Sequence, residues 1–273
     1  MTPTTSSATF PALSGQSRTA LFSFAAGIAL MFLAGPLVKL VATSDLHSLL
    51  SAFADPEVLS AIGVSVLAAS WATVAAALAG VPLGFLLARR DFRGKSLVEG
   101  LVDLPVVIPH PIAGIALLFV FGRRFFVGHT FALVGVHFAG AAPGIVIAMI
   151  FVSAPFLINS SRDGFRAIDP RLENVARTLG RGPWSAFFGV TLPLARRAIV
   201  SGAVMTWARA LSEFGAVVVL AYYPKTAPVL IYDRLTLGGL EAAQPVAAAV
   251  VIIALALFAL LRYLNLRQGS LDA

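Results

Sequence analysis

Long apolar runs separated by short polar or basic stretches set the rhythm of the chain. Six of them, at about 20–42, 58–88, 102–122, 140–160, 198–223 and 245–264, are long enough to cross a hydrocarbon core of about 30 Å. Only helices or closed barrels satisfy the backbone in lipid, and runs of this length predict helices. The expectation is an all-α integral membrane protein of six transmembrane helices, with residues 20–264 as one membrane domain. The first run exceeds the roughly 7–15 apolar residues of a cleaved leader and reads as a retained span. Residues 1–19 are polar and rich in Ser and Thr, as in disordered segments, and residues 265–273 form a short polar tail.

Composition agrees. Of 273 residues, 58% are hydrophobic and 12% charged, against roughly 25% charged in soluble domains. The absence of cysteine excludes disulfides and thiolate metal sites. A net charge of +7 would suit a nucleic-acid binder, but the placement of the charge points elsewhere. Fourteen of the twenty Lys and Arg residues fall before the first run, after the second, after the fourth, and at the end of the sixth with its tail. The positive-inside rule puts those stretches and both termini in the cytoplasm, with no nucleic acid as partner.

The cytoplasmic stretch 162–197 has its own pattern. Asp169 and Pro170 make a helix start; Leu172, Val175, Ala176 and Leu179 then recur at helical spacing on one face. Gly180 suits the left-handed residue that ends such a helix. A second short element carries Trp184, Phe187 and Phe188 and leads to Leu192 and Pro193. Two readings fit the pattern: a helix lying among lipid headgroups, or a face that docks a soluble partner.

The spacing resembles the EAA loop of ABC-transporter importer permeases: Glu-Ala-Ala, three residues, Gly, nine residues, an aliphatic residue, any residue, Leu-Pro. Here Ala176 is followed by three residues and Gly180, and nine more lead to Val190, Thr191, Leu192 and Pro193. Asn174 stands at the motif's Glu and Val175 at its first Ala, with Glu173 one residue early. The resemblance implies the type I importer permease fold and a prokaryotic inner membrane location. It also implies a coupling loop, including Trp184 and Phe187, that docks on a separate ATPase. A lookalike P-loop, Arg93-Gly94-Lys95-Ser96, lacks the required Gly at position 89, which is Arg. ATP and Mg would therefore sit on the partner, with no cofactor on this chain.

Charged and proline-dense segments inside the runs come next. Arg209 and Glu213 are spaced i, i+4 for pairing on one helix face. Ionisable groups at such depth face a bundle interior or a pathway. Either a structural ion pair between helices or a pathway-lining pair satisfies this. Pro105, Pro109 and Pro111 crowd one segment around His110; prolines remove donors and distort helices. His110 on its own fits a packed residue better than a ligand, while a proline-broken helix often lines a transport route. The segments PVVIPHPIAG and WARALSEFGA are similar to those of permeases for molybdate, tungstate and sulfate. On that resemblance Pro109, His110, Arg209, Ser212 and Glu213 are candidate pathway residues.

Gly80 and Gly84 form a GxxxG that signals close helix packing. His129 and His137 lack carboxylate neighbours, so no metal site is expected. No triad, paired carboxylates or nucleophile elbow appears, and the chain is not expected to be an enzyme by itself. Outside, Arg123, Arg124, Tyr223, Lys225, Asp233 and Arg234 are candidate contacts for an extracytoplasmic binding protein, the last three in an expected loop at 224–244 and Tyr223 leading into it. An aromatic belt accounts for the tyrosines as well. The implied assembly is a homodimer of this chain in lipid, with two ATPase subunits and a binding protein, importing tungstate or molybdate. The alternatives are sulfate or thiosulfate in the same machine, an ion-coupled secondary transporter, for which no inverted repeat is visible, and a non-transporting membrane scaffold.

Overall fold

A computed structural model of the chain describes residues 15–270, and every regular element among them is helical. Residues 1–14 and 271–273, part of the expected disordered N-terminus and tail, lie outside the described residues. Helix α1 (Gly15–Ala42) belongs to one compact unit that ends at Asp45, and the chain from Leu46 forms a second.

The second unit opens with α2 (Leu46–Ala54) and the long α3 (Pro56–Arg89). Asp55 starts α3 by accepting the Glu57 N–H at 2.8 Å, and Pro56 occupies the first turn, where its missing donor costs nothing. Then follow α4 (Lys95–Val107), α5 (His110–Phe121), α6 (Phe126–Ala132) and α7 (Ala142–Arg166). Helices α8 (Pro170–Thr178) and α9 (Pro183–Ala186) precede a π-helical segment, Phe187–Thr191. The chain ends through α10 (Leu192–Leu211), α11 (Gly215–Leu220) and α12 (Ala227–Ser270).

Among the described residues five helices are long and apolar enough to cross a membrane, and the bent pair α4 and α5 makes a sixth if counted as one broken span. The expected proline-distorted span at 102–122 is a broken one, and its first half begins earlier, at Lys95. It is cut at Ile108 and Pro109, and its halves diverge by 116°. Pro109 and Pro111 bring no N–H, and Ile108, preceding a proline, is pushed to extended backbone at ψ 143°. A second break divides the expected run 198–223 between Leu211 and Gly215. The expected loop at 224–244 is also corrected. Helix begins at Ala227, and the departure from it lies at Gly239, at φ 71°.

The frame is α3, α7 and α10, and the pair α3–α7 packs most extensively. Small residues allow this. A Cβ at Gly84 would lie 2.9 Å from the Ile158 carbonyl oxygen and from Ser161 Cβ, and one at Gly202 would lie 2.6 Å from Ser160 Cβ. In lipid, where apolar burial gives no drive between helices, such close backbones and hydrogen bonds hold the bundle. Ser160 donates to the Ala198 carbonyl at 2.7 Å, Thr206 to the Ser153 carbonyl at 3.2 Å and the Trp207 indole to Ser70 at 3.2 Å. The core gathers Ala69, Ala72, Met149, Val152 and Ala210.

Gly84→Ala is expected to lower stability by about 1–3 kcal/mol through overpacking. Gly63→Ala, where nothing lies within 4 Å, is expected to raise it by about 0.5–1 kcal/mol from helix propensity. Thermal unfolding of the purified variants in detergent checks both signs.

Candidate functional site: a docking face and a junction of broken helices

At the end of the bundle where α3 and α7 finish, α8 and α9 stand out. Asp169 accepts the Arg171 N–H at 2.8 Å and begins α8. Its end is a complete Schellman cap. The Arg181 N–H reaches the Ala176 carbonyl at 3.1 Å and the Gly180 N–H reaches Arg177 at 3.0 Å, with Gly180 at φ 88°. A side chain other than glycine is strained there.

The apolar face of α8 points away from the protein. Ala176 is buried, whereas Val175 is 56% exposed and Leu179 80%. Leu172 is also exposed, and Asn174 lies in solvent. Trp184, 75% exposed, stacks on exposed Phe188 with centroids 6.2 Å apart. Phe187 turns inward onto the touching pair of Phe85, at 4.9 Å, and Phe165, at 6.1 Å. So Phe187 anchors the loop and Phe188 displays it. The i, i+4 spacing of Trp184 and Phe188 is the signal for that pairing.

Glu173 also faces inward, accepting the hydroxyl of fully buried Thr191 at 3.2 Å. It is a strut across the loop, tying α8 to the π segment that contains Val190 and leads into Leu192 and Pro193. Single-turn π-helical segments recur at functional sites.

Deeper in the bundle the two helix breaks meet. Helices α5 and α11 pack through Gly114, whose added Cβ would lie 2.7 Å from Val219 Cβ, and Gly215, whose Cβ would lie 2.7 Å from His110 Cβ. That approach places His110, which follows Pro109, beside Glu213. The Glu213 side chain is fully buried, and a buried charge must be paired. Its Oε1 accepts the Ala216 N–H at 2.8 Å and its Oε2 accepts Arg209 Nη2 at 2.8 Å. The same guanidinium nitrogen lies 2.7 Å from His110 Nε2; Arg only donates, so that ring nitrogen accepts. Ser212, exposed, donates to the Arg209 carbonyl at 3.0 Å. Four of the five predicted pathway residues therefore form one cluster across two broken helices, with Pro109 setting the turn. The i, i+4 pair is retained although the helix ends between its members. A cavity of about 390 Å³ opens beside Ser212 between α3, α10 and α12. Its walls, including Ile62, Trp207, Leu211 and Phe258, are almost wholly apolar and unsuited to a dianion.

At the opposite end, the residues expected to meet a binding protein divide into two groups. Arg123, Arg124 and Tyr223 are exposed. Lys225, Asp233 and Arg234 are engaged within the chain. Lys225 Nζ bridges Asp233 at 2.9 Å and Glu57 at 3.0 Å, and Arg234 bridges Asp55 at 3.0 Å and Glu57 at 2.8 Å. Tyr222 donates to Asp233. The Asp233 and then the Glu57 carboxylates hold the Lys225 ammonium charged well above its ordinary range. Among the described residues no three His, Asp or Glu side chains gather to hold a metal ion.

Residues 80–268 match the family described as binding-protein-dependent transport system inner membrane component. The chain belongs to that family. It is 46% identical over 252 residues to the molybdate/tungstate transport system permease protein WtpB of Thermococcus kodakarensis, covering 92% of this chain and 97% of the relative. It is 36% identical over 186 residues to a probable sulfate transport system permease protein cysT of Chlorokybus atmophyticus, 67% and 65% of the two chains. Among solved structures, a bacterial alginate ABC transporter in complex with an alginate pentasaccharide-bound periplasmic protein is similar, with TM-score 0.72 and 18% identity over 92% of this chain and 96% of that one. This inner membrane component is thus the multi-pass permease of an ABC importer in a prokaryotic cell membrane.

Arg209→Ala strands the Glu213 carboxylate and is expected to cost about 3–5 kcal/mol. Arg209→Ala combined with Glu213→Gln removes the charge but keeps an acceptor for the Ala216 N–H, and is expected to restore at least half of that loss. A thermal-unfolding cycle over the two sites measures it.

Proposed function

We propose that this permease imports molybdate or tungstate as one half of a homodimeric pore, with both termini and the α8–α9 face in the cytoplasm. The observation that carries the reading is the face itself. Leu172, Val175 and Leu179 are held outward by the capped α8, with Trp184 and Phe188 exposed beside them, at the end of the bundle richest in arginine. A face so apolar needs a partner, and aromatic anchors of this kind dominate interfaces. Two ATPase subunits, which carry ATP and Mg and do all the hydrolysis, fill that role. Six spans from one chain make half a pore, and a closed two-fold pair places the route on its axis. An extracytoplasmic binding protein delivers the oxyanion at the opposite end.

Its exposed contacts are Arg123, Arg124 and Tyr223, while Lys225, Asp233 and Arg234 keep α12 against the start of α3. ATP-driven closure of the ATPases moves the coupling loops. The junction of His110, Arg209, Ser212 and Glu213 switches access, and release is to the cytoplasm. The identity with WtpB supports molybdate and tungstate over sulfate.

Uptake into proteoliposomes holding the complete complex tests the cargo. Unlabelled tungstate or molybdate is expected to suppress labelled molybdate uptake, with equal sulfate leaving it within two-fold; strong sulfate competition would return the sulfate reading. For the docking face, Trp184→Ala is expected to cost about 2 kcal/mol or more of ATPase binding, roughly 30-fold in affinity. Leu179→Glu is expected to abolish co-purification of the ATPase. Full co-purification with Leu179→Glu would refute the face as the dock.

A further inference from the structure

The linker between α7 and α8 is gripped by two arginines with no role so far. Helix α7 ends at Arg166 and α8 begins at Pro170, so Ala167, Ile168 and Asp169 are the root of the docking loop. Arg89, the last residue of α3, donates from Nη1 to the Ile168 carbonyl at 2.9 Å. Arg166 reaches back from Nη2 to the Leu87 carbonyl at 3.5 Å and binds Glu99 of α4 at 2.7 Å. Each helix end thus sends its arginine to the backbone of the other. The Leu87 carbonyl lies in the last turn of α3, at the negative end of the helix dipole, and so suits a guanidinium; the Ile168 carbonyl lies two residues beyond the end of α7. Arg162, one turn earlier on α7, adds a longer contact to Glu99 at 3.6 Å.

Arg89 differs from the other arginines at this end. Its Nε and Nη2 are buried and have no partner among the described residues. Unmet buried donors are costly and uncommon, and an apolar side chain would pack there without them. The group spends its position on a single bond, to the carbonyl two residues before α8. Its two remaining donors let it follow that carbonyl if the linker shifts. Behind Arg89, α3 and α7 are joined almost backbone to backbone at Gly84 and Ser161, and Phe187 packs its ring against the touching pair Phe85 and Phe165.

We propose that Arg89 is a positioning residue for coupling: by holding the Ile168 carbonyl it makes α8 and the α3–α7 pair one lever, so that a push on the docking face reaches the bundle. The proposal rests on the reading of α8–α9 as the ATPase dock, and Arg166 braces the same lever from the other side. Loss of the grip leaves a loop that still binds its partner but bends at 167–169 under load.

The test uses the complete complex with binding protein in proteoliposomes, comparing the parent with Arg89→Ala and Arg89→Lys. Three quantities are read: co-purified ATPase, ATP hydrolysis, and molybdate imported per ATP. Arg89→Ala is expected to keep ATPase association and basal hydrolysis within two-fold while import per ATP falls at least ten-fold. Arg89→Lys retains one donor for the Ile168 carbonyl and is expected to recover at least half of the ratio. Import per ATP within two-fold of the parent in Arg89→Ala overturns the proposal. So does loss of association in both variants, which makes Arg89 only part of the scaffold. Failure of the dock itself shows separately, as ATPase association that survives Leu179→Glu.

Discussion

The close approach of α3 to α7 is the constraint on which the other parts depend. Gly80 and Gly84 remove the side chains that would hold the two helices apart, and Ile158 and Ser161 fill the place they leave. Hydrocarbon lipid gives little reason for two apolar helices to prefer each other, so contact at this distance has to come from shape and hydrogen bonds. Once the pair is formed, α10 lies against it through Gly202 and Ser160, and the ends of α3 and α7 meet beneath the docking loop. The loop is seated on that meeting point by one aromatic ring, Phe187, and by the arginines.

From this frame hang two helices that do not run straight. Proline chemistry breaks the α4–α5 span, and the turn at Ser212 to Phe214 breaks α10 from α11. Irregular backbone at membrane depth survives only where protein or a cavity covers it. Here each break covers the other: Glu213 supplies an acceptor to the Ala216 N–H, and Arg209 and His110 satisfy the carboxylate. A junction built of charge rather than packed methyls is costly to bury and depends on geometry. In the proposed mechanism such a junction changes state when its helices shift by a small amount, as a gate requires, and the frame carries that displacement to it.

Much of this was legible in the sequence, for definite reasons. Hydropathy gave away the spans because length and composition alone decide them. The interval from Gly180 to Leu192-Pro193 marked the loop by its resemblance to the EAA spacing, and Gly180 stands where a Schellman cap needs a left-handed residue. Arg209 and Glu213 were visible as a pair by helical spacing, even though the helix ends between them. What escaped was long-range. Lys225 and Arg234 read as free outer charges because Glu57, which both bind, and Asp55, which Arg234 also binds, lie 168 to 179 residues earlier in the chain. The helical start of α12 was hidden because its polar residues looked like a loop, although they face the beginning of α3. Asn174, at the motif's Glu position, drew attention, but Glu173 bears the contact, and it points into the loop rather than out of it.

The central claim is that the docking loop and the ends of α3 and α7 move as one body. The chain contains no cysteine, so spin labels can be placed cleanly. The most direct measurement is a pair of pulsed electron–electron distances in the complete complex, without nucleotide and with ATP bound. One is between Thr178→Cys on α8 and Arg90→Cys just past α3, within a chain. The other is between the two copies of position 178 in the dimer. The account predicts that the distance between copies shortens on ATP binding while the distance within the chain stays fixed. A within-chain distance that changes as much as the one between copies would contradict it.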